Sequence, residues 1–338
     1  MWRRCGTREG IVKTSSEPAL RRYSLNGETM GTRYSAVFFA PAAIDLGAIG
    51  AALFAAVDRV DQQMSSWKPG SDLNRLNAAP LQQWQQVPAQ LLSVLDAALR
   101  VGRASGGAFD IGVGALVNAW GFGATNPQPD AQQIRALGQR QHLAASELLD
   151  IDLANQRVRK QAALALDLSG IAKGYGVDAL AHCLDGFGIT RYLVGIDGEM
   201  RAKGSKPGGQ AWAVAIEKPV RHRREVMGVM ELTDAAIATS GDYRHWFEVA
   251  GQHYAHTMHP LRGRPLDEHS NRLASVTVVM PSCMLADAWA TALLVMGAPA
   301  ATQLAQQQGM TALLVLRNLS DAGEAFEQIS IVDGVLQP

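Results

Sequence analysis

The stretch "ALALDLSGIAKGYGVDALAHCLDGFGITRYLVGI" (residues 163–196) decides the fold class. ALALDL alternates as a half-buried strand does. A glycine-rich turn follows, then an amphipathic helix that ends near Gly186 or Gly188, then the strand-like RYLVGI. Strand, turn, helix and strand in this order resemble a βαβ unit. The expectation is therefore an α+β chain with a central mixed β-sheet flanked by helices. The turn itself admits two readings. Asp167 at a strand end, free backbone N–H groups at a helix start near Ile171, and Lys173 together make a natural anion site. The same residues also suit a packing turn, with Ser169 as N-cap and Gly170, Gly174 and Gly176 allowing close approach. The spacing matches neither the dinucleotide fingerprint nor a P-loop.

Working outward, residues 23–40 read as two strands around a glycine turn, and IDLGAIGAALFAAVDRVDQQM carries helical spacing into a Ser65-Ser66-Trp67 loop. GSDLNRLN restarts a short helix that Ser71 or Asp72 can cap. PAQLLSVLDAALRVGRASGG is a helix opened by Pro88 and closed by Gly106-Gly107. A hairpin turns near residues 154–156, and its second strand leads towards Asp167. AWAVAIEKP, VMGVMELT, AAIATSGDY and SVTVVMP are further strands. SCMLADAWATALLVMG is a helix closed by Gly297, and a last helix and two strands complete the chain. No Pro/Gly/Ser-rich linker divides it, so a loose N-terminal arm over residues 1–22 is expected to precede one compact domain over 23–338.

Composition narrows the function. The 338 residues are 47% apolar, with Lys+Arg and Asp+Glu equal at 31 each. Such a chain builds a sizeable core. Its neutrality gives no electrostatic reason for nucleic acid or an anionic membrane as main partner. Cys5, Cys183 and Cys283 form no metal or disulfide pattern. Cys183 falls within a helical pattern and Cys283 at a strand end, both read as buried thiols. The basic N-terminus has no apolar run behind it and no lipobox around Cys5, so the sequence reads as unexported and cytoplasmic, with no membrane segment.

Several groups could carry chemistry. Asp287 and Thr291 are four apart on a helix and share a face. A carboxylate and a hydroxyl are hard oxygen ligands of the kind Mg²⁺ or Ca²⁺ prefers, although an Asp near a helix start is also ordinary capping chemistry. His253, His256 and His259 recur every three residues beside Pro260. A strand running into a loop would send them to alternate faces, which argues against a shared metal and for a single general base. Met30, Trp67 and Phe109 could pack on a flat aromatic ligand, though each also suits a core. Asp110, following an aromatic in a glycine-rich run, is harder to place in a core.

Together and in this order, ETMGTRYS, MSSWKPGSDLNRLN, GGAFDIGVGALVNAWGFG, LDLSGIAKGYGVDALA, YLVGIDGEMRAKG, AIATSGDYR, HTMHPLRGRP and SVTVVMPSCMLADAWATALLVMG resemble the ApbE family of FAD:protein FMN transferases. The resemblance implies a T-fold-related α+β domain. It implies Mg²⁺-dependent transfer of FMN from FAD to a threonine hydroxyl of a target flavoprotein, with release of AMP. This is protein flavinylation, a post-translational modification. The acceptor would be a subunit of a flavin-dependent reductase complex. Alternatives within the same resemblance are an FAD pyrophosphatase, with water as acceptor, and a flavin-binding protein without turnover. Many family members act on the periplasmic side of the inner membrane.

Residue by residue, the resemblance places Met30, Trp67, Ala108, Phe109, Asp110, Asp167, Lys173 and Met258 around FAD. It assigns Asp287, Thr291 and the carbonyls of Gly170 and Ala290 to the metal, and makes His256 the base for the incoming threonine. His259 departs from the family, which usually has Asp there.

Overall fold

The computed structural model describes residues 20–124, 128–138, 142–244, 246–249, 252–267, 271–320 and 323–337. Its centre is a nine-stranded sheet. Numbered in chain order, its strands are β1 (Leu20–Thr29), β2 (Thr32–Pro41), β3 (Tyr192–Ile196), β4 (Glu199–Lys203), β5 (Ala236–Gly241), β6 (Leu273–Met280), β7 (Thr311–Ser320), β8 (Gly323–Val332) and β9 (Val335–Leu336). They lie side by side in that same order, and every neighbouring pair is antiparallel.

The α+β class and single compact domain agree with the sequence reading; the mixed sheet and the βαβ unit do not. Residues 163–168 are not a strand. Their backbone groups are satisfied elsewhere. Asn77 donates to the Leu166 carbonyl (3.0 Å) and accepts from its N–H (2.7 Å), the Gly114 N–H donates to Ala165 O (3.0 Å), and the Asp167 N–H donates to Ile111 O (2.8 Å). With these partners the segment needs no ladder, and alternation alone could not distinguish it from a strand. The β1 strand begins at Leu20, inside the expected arm; residues 1–19, with Cys5, lie outside the described residues.

The helices that matter for the site are α1 (Leu46–Met64), α2 (Asp72–Ala78), α3 (Ala89–Ala104), α4 (Ala172–Gly186), α5 (Cys283–Met296) and α6 (Ala298–Gln307). Ser71 caps α2 through the Asn74 N–H, and Pro88 opens α3, as their sequence signals indicate. Along β2, Ala36, Phe38 and Ala40 pack with Ile49, Leu53, Val57, Val177 and Leu180 of α1 and α4. The alternate residues Val37 and Phe39 pack instead with Trp212 and Ile216, which belong to a two-stranded ribbon, Trp212–Glu217 with Val226–Leu232. The period-2 alternation thus divides the sheet between a helical face and a ribbon face. Among the described residues no helix is long and apolar enough to cross a membrane.

Between α4 and α5 lies a buried polar joint. Asp178 of α4 is 5% exposed. It accepts from the Cys283 N–H (3.0 Å), the Met284 N–H (3.0 Å) and Ser282 Oγ (2.8 Å), and pairs with Arg201 Nη1 (2.6 Å). One helix thereby caps another, because the first N–H groups of α5 have no partner within their own helix. Cys283, expected at a strand end, is the first residue of α5 and is buried. Asp178→Ala should leave Arg201 and these N–H groups without their partner. A loss of about 3–5 kcal/mol is expected, seen as a lower urea midpoint; an unchanged midpoint would contradict this role.

Candidate functional site

The β1–β2 turn, the 167–171 loop, α4, α5, β4 and β5 deliver the candidate site residues. Asn77 and Ile111 hold the loop by its backbone, as described above. Asp167 accepts from the Ser169 N–H (2.9 Å), so the aspartate caps the turn. Ser169, expected as N-cap, has no such role: α4 starts after Ile171 with no side-chain cap. A Cβ on Gly170 would lie 3.1 Å from Thr291 Oγ1 and 3.2 Å from Phe109 Cε2. A side chain here would crowd both groups, so glycine eases the close approach of this backbone to the hydroxyl. Thr291 Oγ1 also hydrogen-bonds Ser240 Oγ of β5 at 2.9 Å.

One turn earlier on α5, Asp287 is 4% exposed and accepts from the Gly174 N–H at 3.0 Å. A Cβ on Gly174 would lie 2.8 Å from Asp287 Cβ and collide with the Cys283 carbonyl, so this glycine sets how closely α4 and α5 approach. Burial, then the charge of Glu199, raise the Asp287 carboxyl from 3.8 to about 7, while Lys173 and the Gly174 N–H oppose the rise. Glu199 itself is buried and bound to Lys173 at 2.8 Å, and Asp197 lies 3.4 Å from the same ammonium. Burial pulls the Lys173 ammonium down, but the Glu199, Asp287 and Asp197 carboxylates outweigh it and hold the group above its usual range. Arg244 in turn bridges Asp197 (3.2 Å) and Glu217.

Ala290 lies fully buried within an unbroken α5. Its carbonyl faces the helical i+4 N–H, which leaves one lone pair to offer. Among the described residues no three His, Cys, Asp or Glu side chains gather into a metal cluster. The candidate donor set is one carboxylate, one hydroxyl and backbone carbonyls, all hard oxygen, which suits Mg²⁺ rather than a transition metal.

Met30 reaches the site from the β1–β2 turn. It and Gly31 have φ of 46° and 71°, the two-residue turn that ordinarily favours Asn-Gly. A non-glycine residue held there costs on the order of 1–3 kcal/mol. The Met30 Cε lies 2.8 Å from where a Gly176 Cβ would stand, so the strained turn seats the methionine against α4. Ala108 and Phe109 are buried in the main core. Asp110 has a structural task that the sequence did not reveal. It accepts from the Gly112 N–H (2.8 Å) and the Ala145 N–H (3.1 Å), and lies 2.9 Å from His142 Nε2. Trp67 is 64% exposed in the loop after α1. Met258 is buried beside Leu116 and Trp120.

The three histidines do not converge. His253 packs against Trp246, with ring centroids 4.6 Å apart, while His256 meets Phe122 at 6.5 Å. His256 is exposed and lies where the strand Gln252–His259 slips register between Tyr254 and Met258. Such irregularities re-aim a side chain. Burial, then Arg262 and Arg264, push the His259 imidazole down, and among the described residues its buried Nδ1 meets no hydrogen-bond partner.

The profile of the ApbE family matches residues 30–314. The chain belongs to the ApbE family. An FAD:protein FMN transferase of Vibrio cholerae is 38% identical, covering 91% of each chain, and one of Klebsiella pneumoniae is 34% identical, covering 93% of this chain and 89% of its own. The solved structure of the flavin transferase ApbE from Vibrio cholerae superposes with a TM-score of 0.79 at 35% identity, covering 92% of this chain and 97% of that one. The ApbE protein of Thermotoga maritima reaches 0.78 at 28% identity, covering 91% and 97%. Within this ApbE domain, Glu199, Ser240, Asn77 and Asp178 were missed by the sequence reading. Asp178 carried a signal: a carboxylate flanked by Val177 and Leu180 on an apolar helix face.

The Asp287 carboxyl holds its proton more tightly in the fold than the ordinary 3.8. A raised folded-state pKa stabilises the protein fully below the unfolded value, and that contribution is lost as pH rises through the folded one. In cation-free buffer the melting temperature should therefore fall between about pH 4 and about pH 7, and Asp287→Asn should flatten this slope. Identical pH profiles for the two proteins would refute the assignment.

Proposed function

We propose that this protein transfers FMN from FAD to a hydroxyl of an acceptor protein, releasing AMP. The observation that carries the reading is the convergence of Asp287, Thr291 and the Gly170 backbone at the α4–α5 joint, in a chain of the ApbE family. Relatives over most of its length are named FAD:protein FMN transferases. Asp287, Thr291 Oγ1 and the carbonyls of Gly170 and Ala290 would hold Mg²⁺. When bound, the ion supplies Lewis-acid neutralisation of the pyrophosphate charge.

The chain's own residues do the rest. Met30, Trp67, Ala108, Phe109, Asp110, Asp167, Lys173 and Met258 are assigned to the FAD side of the site. Of these, Met30 offers a polarisable thioether suited to a ring system, while Asp110 and Asp167 also fix loops by accepting from backbone N–H groups. His256, exposed on its slipped strand, can meet an acceptor arriving from solvent. It takes the proton of an acceptor threonine as the new O–P bond forms, and the bond between the two phosphates breaks with AMP as leaving group. Transfer of this kind needs positioning and charge neutralisation more than covalent chemistry. The acceptor is assigned as a threonine-bearing subunit of a flavin-dependent reductase complex.

The test is direct. Incubation with FAD, Mg²⁺ and a threonine-bearing acceptor should add the mass of FMN to the acceptor and release AMP. Loss of the base in His256→Ala should slow transfer by roughly 10²–10⁴-fold, and Asp287→Ala should remove the Mg²⁺ dependence along with activity. AMP and free FMN without modified acceptor would assign FAD hydrolysis instead.

A further inference from the structure

The resemblance assigns Lys173 to the ligand, yet its ammonium is committed to carboxylates of its own chain, 2.8 Å from Glu199 and 3.4 Å from Asp197. Glu199 opens β4 with its side chain 5% exposed, and it also accepts from the Gly198 N–H at 3.2 Å. A carboxylate so far out of water is costly unless it is paired, so the pairing with Lys173 calls for a reason. The next residue along the chain supplies one. The Gly174 N–H points at Asp287 Oδ2, 3.0 Å away. The Lys173 ammonium thus feels the charge of two buried carboxylates, each 4% exposed, and of the two it is bonded to Glu199. Had it paired with Asp287, it would neutralise the single carboxylate in the candidate cation site. The hold from Asp197 is weaker, because Asp197 also pairs with Arg244 at 3.2 Å.

We propose that Glu199 is a positioning residue for the transfer reaction: it holds the Lys173 ammonium off Asp287 and so keeps that carboxylate available to a divalent cation. This rests on the metal reading of Asp287 given above. Glu199 acts here through Lys173 and need not touch the ion, FAD or the acceptor.

The experiment reads Mg²⁺ binding by the full chain without FAD, by titration calorimetry, with the Mg²⁺-induced shift in melting temperature as a second readout. Glu199→Gln leaves Lys173 free to turn to Asp287, and the Kd for Mg²⁺ should rise roughly 10–100-fold, the range for loss of a partner behind a metal ligand. Adding Lys173→Met to that variant removes the competing ammonium and should restore the wild-type Kd. Lys173→Met alone should bind Mg²⁺ at least as tightly as the wild type. A wild-type Kd in Glu199→Gln overturns the proposal. So does a double variant as weak as Glu199→Gln, or weaker binding in Lys173→Met alone. If Asp287→Ala binds Mg²⁺ as the wild type does, the metal reading fails and the proposal falls with it. Loss of binding in Asp287→Ala with Glu199→Gln unaffected sinks this proposal alone.

Discussion

The buried joint between α4 and α5 is the constraint on which the site depends. Asp178 reaches from one helix to end the other, accepting from Ser282 Oγ and the N–H groups of Cys283 and Met284 while paired to Arg201 of β4. One turn earlier on α4, Gly174 lets the helices close to the point where its N–H donates to Asp287. The two contacts fix helix to helix in rotation as well as distance. Of Asp287 and Thr291, four residues apart on α5, the first then meets Gly174 of α4 and the second the Gly170 loop.

The site stores electrostatic cost rather than shedding it. Asp287 and Glu199 lie in the interior, and one partly exposed ammonium, Lys173, carries the positive charge that acts on both acids. Apolar residues of similar volume would often give a more stable fold than such a set. Met30 adds backbone strain from the opposite side, in a turn where asparagine would sit more easily. Unfavourable terms concentrated where the family's chemistry is expected are what a site built for a cation and a flavin would show.

Much of the fold was legible. The β1–β2 hairpin, α1 with its Ser65 end, the Pro88-opened α3, the helix closed by Gly297 and the final strands all follow from period, caps and turn residues. ALALDL was misread because its alternation reflects two buried leucines, Leu166 and Leu168, within an irregular segment whose peptide groups bond to Asn77, Gly114 and Ile111. A pattern of side chains shows which residues are buried; it does not show which partner satisfies the backbone. With that strand gone, the supposed βαβ crossover becomes an excursion from a sheet whose neighbours follow chain order.

The sequence by itself determined the family, the α+β class and the shared face of Asp287 and Thr291, because order of motifs and helical period are properties of one dimension. Only the tertiary structure decided what Glu199 and Asp178 do, why Asp110 is buried, and that Lys173 is already paired. Glu199 meets Lys173 across 26 residues, and Asp178 meets Met284 across 106. Electrostatic and hydrogen-bond partners at such separations are set by how elements pack, and no local spacing encodes them.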